Sequence, residues 1–105
     1  MLKNLGVYDI GDQPFATMSF RHRVTRELTD PSTVVFLHWL SVGDEVEYVY
    51  GVANNVTRDA EGIYTCELPV TVMAGKHYVR CKSTGDAAAA DEGQYRVRVS
   101  KFATP

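Results

Sequence analysis

The residues of this 105-residue chain best equipped for chemistry are His22, His38 and His77 and the two cysteines, Cys66 and Cys81. A structural zinc site wants about four Cys/His ligands at short spacing, and none of the histidines has such a neighbour. His38 lies inside the apolar run Val34-Val35-Phe36-Leu37-His38-Trp39-Leu40. That setting fits a partly buried strand residue better than a catalytic base. A Cys–His nucleophile would need a cysteine beside one of these rings, in surroundings that favour thiolate. Neither cysteine sits at a helix N-terminus or in another such context. Two readings stay open for the pair: reduced thiols buried as small hydrophobes, the default without a secretion signal, or a single disulfide.

Paired carboxylates can bind calcium or divide acid and base roles. The candidates are Asp59 with Glu61, Asp91 with Glu92, and Asp44 with Glu45. Each pair is expected at a hairpin end, where acids are simply solvated. Gly62, Gly75, Gly85 and Gly93 read as isolated turn glycines, so no phosphate-binding loop is formed. Asn55-Val56-Thr57 matches a glycosylation sequon, which matters only in a eukaryotic secretory pathway. No catalytic, metal or cofactor site is therefore expected, and the chain reads as a non-enzyme.

The charge balance excludes further classes. Eleven basic and thirteen acidic residues give a net charge of −2, whereas nucleic-acid binding usually requires a basic face. The cluster Arg21, His22, Arg23 and Arg26 is interrupted by Val24 and Thr25 and reads as a solvated strand end. No stretch approaches the roughly 20 apolar residues that span a bilayer. Met1 to Gly6 has no apolar run or cleavage site. A complete, soluble product made in the cytoplasm is expected, with neither nucleic acid nor membrane as partner.

The elements that would position these residues are strands. Short runs rich in Val, Tyr, Phe and Thr recur between Gly, Asp, Asn and Pro clusters. They cover 6–10, 14–21, 33–42, 45–50, 56–58, 63–70, 76–83 and 94–100. In the last, Tyr95, Val97 and Val99 alternate with Gln94, Arg96 and Arg98, the pattern of a sheet with one wet face. Residues 18–28 have some helical spacing, but β-branched residues and missing caps weigh against it. Asp30-Pro31-Ser32 is a turn, and Ala87 to Ala90 is a loop of small residues. The expectation is one all-β domain over 1–105, a sandwich of seven or eight antiparallel strands, with short flexible arms at 1–5 and 101–105.

The segment Val34 to Leu40 is apolar on both of its faces. Val34, Phe36, His38 and Leu40 form one set, and Val35, Leu37 and Trp39 the other. Either the strand is covered on both sides, or its outer face meets another protein. Tyr48 and Tyr50 on the next strand could extend such a patch. Val35, Leu37, Trp39, Tyr48 and Tyr50 are the candidate interface; the opposing reading keeps Trp39 in the core. A third reading makes Trp39, Tyr48 and Tyr50 a stacking platform for sugar or a cell surface.

A resemblance is carried by Tyr8-Asp9-Ile10-Gly11-Asp12, Asp30-Pro31-Ser32-Thr33-Val34, Gly62-Ile63-Tyr64, Gly75-Lys76-His77-Tyr78-Val79-Arg80 and Gly93-Gln94-Tyr95-Arg96-Val97. From about Val7 to Phe102 the chain resembles the small immunoglobulin-like structural proteins of tailed bacteriophages. The resemblance implies an immunoglobulin-like sandwich and a place in the virion, as head decoration, neck or tail component. It implies protein partners, namely other virion proteins and copies of the chain itself, and no catalytic residues. It also implies that Val34 and Phe36 face the core, with Leu37 and Trp39 outward. Gly62-Ile63-Tyr64-Thr65-Cys66 echoes antibody-type domains as well. No cysteine precedes Trp39, however, so the antibody-type disulfide cannot form.

Overall fold

The computed structural model describes residues 2–3, 5–40, 45–69, 71 and 74–99. Nine strands form among them: β1 (Leu2–Lys3), β2 (Val7–Asp9), β3 (Phe15–Ser19), β4 (Thr33–Leu40), β5 (Val46–Val49), β6 (Val56–Ala60), β7 (Ile63–Glu67), β8 (Gly75–Thr84) and β9 (Ala90–Arg98). They make two sheets, a four-stranded one in the order β1-β3-β7-β6 and a five-stranded one in the order β2-β9-β8-β4-β5. No helix is present among the described residues.

Alternation drives this division. Ala16 and Met18 of β3 pair with Cys66 and Tyr64 of β7, and all four are buried. Facing them from the larger sheet are Val34 and Phe36 of β4, Val79 and Cys81 of β8, and Tyr95 and Val97 of β9, also buried. Each of these strands turns its intervening residues away from the core, as a period of two requires. Both cysteines are buried and free.

The structure departs from the sequence reading in several places. Nine strands replace the expected seven or eight, and β2 runs parallel to β9 rather than antiparallel. The additional element, β1, is short and N-terminal. β1 pairs with β3, and the chain then crosses to the other sheet as β2. Leu2 and Lys3, expected in a loose arm, are thus paired; residues 101–105 lie outside the described residues. Strand β9 starts at Ala90, so Asp91, Glu92 and Gly93 belong to a strand and not to a hairpin end. A Cβ at Gly93 would run into the tip of the Leu5 side chain, which lies over the strand there. Asp91 accepts the Leu2 backbone N–H at 2.7 Å. Val99, expected inward, lies past β9 and is exposed. Asp59 falls in β6, whose pairing with β7 shifts register between Arg58 and Ala60. Asp44 lies outside the described residues.

The β3–β4 connection is anchored by Asp30, which the sequence marked only as a turn residue. Its carboxylate accepts the single Arg58 Nε–H, shared between its two oxygens, and further hydrogen bonds from Arg58 Nη2, the Gly62 N–H and the Tyr64 hydroxyl. These donors, Arg58 first, hold its pKa down at about 2. The arrangement ties the connection to β6 and β7 and leaves β4 free to lie in the other sheet.

Candidate functional site

The outer face of the five-stranded sheet follows from its register. On β4, Val35 and Leu37 are half-buried and Trp39 is 42% exposed, all on the side away from the core. Val35 lies between Val49 of β5 and Lys82 of β8. Leu37 lies between Glu47 and Arg80, and Trp39 is paired with Tyr78. The next strand places Ala90, Glu92 and Gln94 beside Lys82, Arg80 and Tyr78. An apolar strip of Val49, Val35, Leu37, Trp39 and Tyr78 thus runs diagonally across the sheet, with charged residues along both borders.

The strip ends in a shallow depression of about 270 Å³ lined by Leu37, Trp39, Glu45, Tyr78, Arg80 and Glu92 among others. The Trp39 and Tyr78 rings lie 5.2 Å apart at 31°. Their aromatic faces are neither coplanar nor crossed, so they form a tilted wall. Glu45 and Glu92 supply acceptors at the margin, and Arg80 supplies donors.

The predicted interface residues are therefore divided between the two sides of the sheet. Val35, Leu37 and Trp39 share the outer face. Tyr48 pairs with Phe36 and points to the core side, where it packs on the buried cluster. Burial raises its hydroxyl pKa. Tyr50 points the same way and meets Tyr64 edge-on, with ring centroids 5.0 Å apart. The register, which sets Val49 rather than Tyr48 beside Val35, decides this split. Tyr78, Val49 and Arg80 were missed in the sequence. The alternation Lys76, Tyr78, Arg80 and Lys82 was visible there, but which strand lay beside β4 was not.

Beneath Trp39 and Tyr78, on the core side of β4, β8 and the adjoining β9, two histidines and a tyrosine are stacked. His38 Nε2 lies 3.0 Å from His77 Nδ1 and 2.9 Å from the Tyr95 hydroxyl. The three rings are nearly parallel, at angles of 4°, 13° and 15°. Burial lowers the His38 pKa to about 4, with the charge of the His77 ring adding to the effect. Burial also raises the Tyr95 pKa. The neutral His38 ring carries a proton on one nitrogen only, so its Nε2 either donates to His77 or accepts from Tyr95. The two histidines stand 39 positions apart in the chain, a separation that no local spacing rule detects.

The remaining chemistry candidates are dispersed. His22 accepts the backbone N–H groups of Val24 and Thr25 through Nδ1, closing its own turn. Arg21 donates to the Arg26 carbonyl in that same loop. Burial pushes the thiols of Cys66 and Cys81 up to about 12, which keeps them protonated and poorly nucleophilic at neutral pH. Among the described residues no group of three or more His, Cys, Asp or Glu side chains is placed to hold a metal ion, and no helix is long and apolar enough to cross a membrane.

Comparison with models of known protein families gives no match, and no curated protein matches the chain. Among solved structures, a crystal structure from Bacteroides vulgatus described as a "putative glycoside hydrolase" is similar in fold. Its TM-score is 0.57 at 14% identity, over 93% of this chain. The match spans only 17% of that much longer protein. At this identity the likeness speaks to the fold of one region alone.

Proposed function

We propose that this chain is a non-enzymatic immunoglobulin-like domain that works by protein–protein contact through the outer face of its five-stranded sheet. The observation that carries the proposal is the apolar strip of Val35, Leu37, Trp39, Val49 and Tyr78. A sheet face turned to water in a two-layer sandwich is ordinarily polar. Here aromatic and aliphatic side chains adjoin one another and are bordered by charge, the composition favoured at interface centres. The immunoglobulin-like assignment is supported by the split first strand and by the two sheet orders. The resemblance of the sequence to small phage structural proteins supports a virion setting, with other virion proteins and copies of the chain as partners.

The protonated, buried cysteines and the enclosed His38–His77–Tyr95 cluster support a role without catalysis, because neither presents a reactive atom in an open cleft. Sugar binding is the second reading. The Trp39–Tyr78 pair with Glu45 and Glu92 beside it favours it. The tilt between the rings and the purely apolar Val35 and Val49 fit a protein partner better than a hydroxyl-rich ligand.

Trp39→Glu separates these readings. Trp39 is partly exposed, so the variant should remain folded and lose no more than about 1 kcal/mol of stability. Mass spectrometry of purified phage particles should find the wild-type chain in many copies and should not find the variant. Normal incorporation of the variant, or absence of the chain from particles, would remove the virion reading. A saturable sugar titration abolished by Trp39→Ala would install the second one.

A further inference from the structure

The charges on the outer face have a fixed order around β4. Leu37 has Glu47 on one side and Arg80 on the other, in the same row of the sheet. Adjacent strands are about 4.8 Å apart, so the acid and the base stand at equal distances to either side of β4. Neither residue takes part in the two ion pairs formed among the described residues, which are Arg58–Asp30 and Arg98–Asp9.

We propose that this face docks on the same face of a second copy of the chain, about a two-fold axis lying close to the direction of β4 and passing over Leu37. The proposal rests on the protein-binding reading of the face and names the partner. A two-fold axis in this position exchanges left and right across β4 while preserving the direction along it. Leu37, Val35 and Trp39 each meet their own counterparts. Glu47 of either copy lands on Arg80 of the other, so the contact is made twice, as an isologous interface requires. Lys82 falls against Val49, where its aliphatic stem can lie on the apolar side chain. Glu92, two strands from β4, reaches past the partner's β5 edge to the rim.

The competing in-plane axis, perpendicular to β4, is excluded by the same pattern. It would set Glu47 on Glu47 and Arg80 on Arg80, and facing like charges oppose association. Packed sheets cross at an angle of about 30°, so the axis bisects the two β4 directions at about 15° from each, and register is kept best at the crossing row. That row is the one holding Glu47, Leu37 and Arg80.

Sedimentation velocity of the full chain from about 1 µM to about 500 µM tests the proposal. The wild type should form dimers within this range. Glu47→Arg and Arg80→Glu should each weaken dimerisation at least about tenfold, since each creates two like-charge contacts. An equimolar mixture of the two variants should recover wild-type association, because both contacts then pair acid with base. Arg80→Glu also neighbours Glu92 in its own strand pair, so melting curves accompany each variant, with Glu47→Lys and Arg80→Asp as replacements for one that unfolds. A wild type that stays monomeric, or a mixture no better than the single variants, overturns the proposal. In either case loss of Trp39→Glu from particles would leave the protein-binding reading standing, whereas normal incorporation of that variant would end it.

Discussion

The His38–His77–Tyr95 cluster predicts a specific acid weakness in the fold. His38 has its pKa lowered from 6.5 to about 4 by burial and by its histidine neighbour. The unfolded chain therefore binds a proton at His38 that the folded chain refuses. Stability is fully present above pH 6.5 and falls as the pH drops from there towards 4. The whole displacement corresponds to about 3 kcal/mol, and because the ring is only half-buried, solvent screening reduces this to about 1–2 kcal/mol. For a domain of this size that is a melting-temperature loss of roughly 5–15 °C between pH 7 and pH 4. His38→Gln keeps a polar group beside the Tyr95 hydroxyl and removes the titration. Its melting temperature should be lower at pH 7 and should fall less across the same interval. Thermal unfolding at several pH values and an NMR titration of the imidazole signals measure both quantities. A His38 ring that titrates near 6.5, with equal pH slopes in the two proteins, would refute the argument. The result bears on function because the cluster lies directly under Trp39 and Tyr78.

Further predictions concern the scaffold. Asp30, held at about 2 by Arg58, the Gly62 N–H and Tyr64, contributes stability above pH 3.8 that is lost as the pH falls through 2; Asp30→Asn should melt lower at pH 7 and lack this acid limb. The Asp30 window lies below that of His38, so the two can be read from one pH series. Gly62 has φ +74°, and a Cβ there would come 2.7 Å from both the Phe20 oxygen and the Thr29 nitrogen; Gly62→Ala should cost about 2 kcal/mol or more in urea unfolding. Cys66 and Cys81 should resist thiol reagents in the native protein and release two free thiols once denatured without reductant, while a disulfide would release none.

Much of the sheet architecture was legible because it rests on period-two alternation. Tyr95 and Val97 inward, with Arg96 and Arg98 outward, follow from spacing alone, as does the division of β4 into Phe36 and Leu37 sides. What spacing cannot supply is register between strands distant in sequence. Adjacency of its strand places Tyr48 in the Trp39 patch, yet pairing with Phe36 turns it inward. Tyr78 carries no such signal, because nothing local says that β8 lies beside β4. The same limit hid the meeting of His38 with His77 and of Asp30 with Arg58, each a side-chain contact between separate strands or loops. The early start of β9 has no local signal for a different reason: Ala90, Asp91 and Gly93 have poor strand propensity. Their strand is held by β8 on one side and by Leu2 and Leu5 above it, which is tertiary context overriding local preference.

The chain's single tryptophan gives the most direct test of whether the outer face is the working surface. Acrylamide quenching of the indole should be efficient in the dilute, isolated chain, where Trp39 is 42% exposed. In the native assembly the same emission should shift to shorter wavelength and be quenched several-fold less. Equal quenching in the two states would mean that Trp39 stays in water throughout, and that the apolar strip meets no partner.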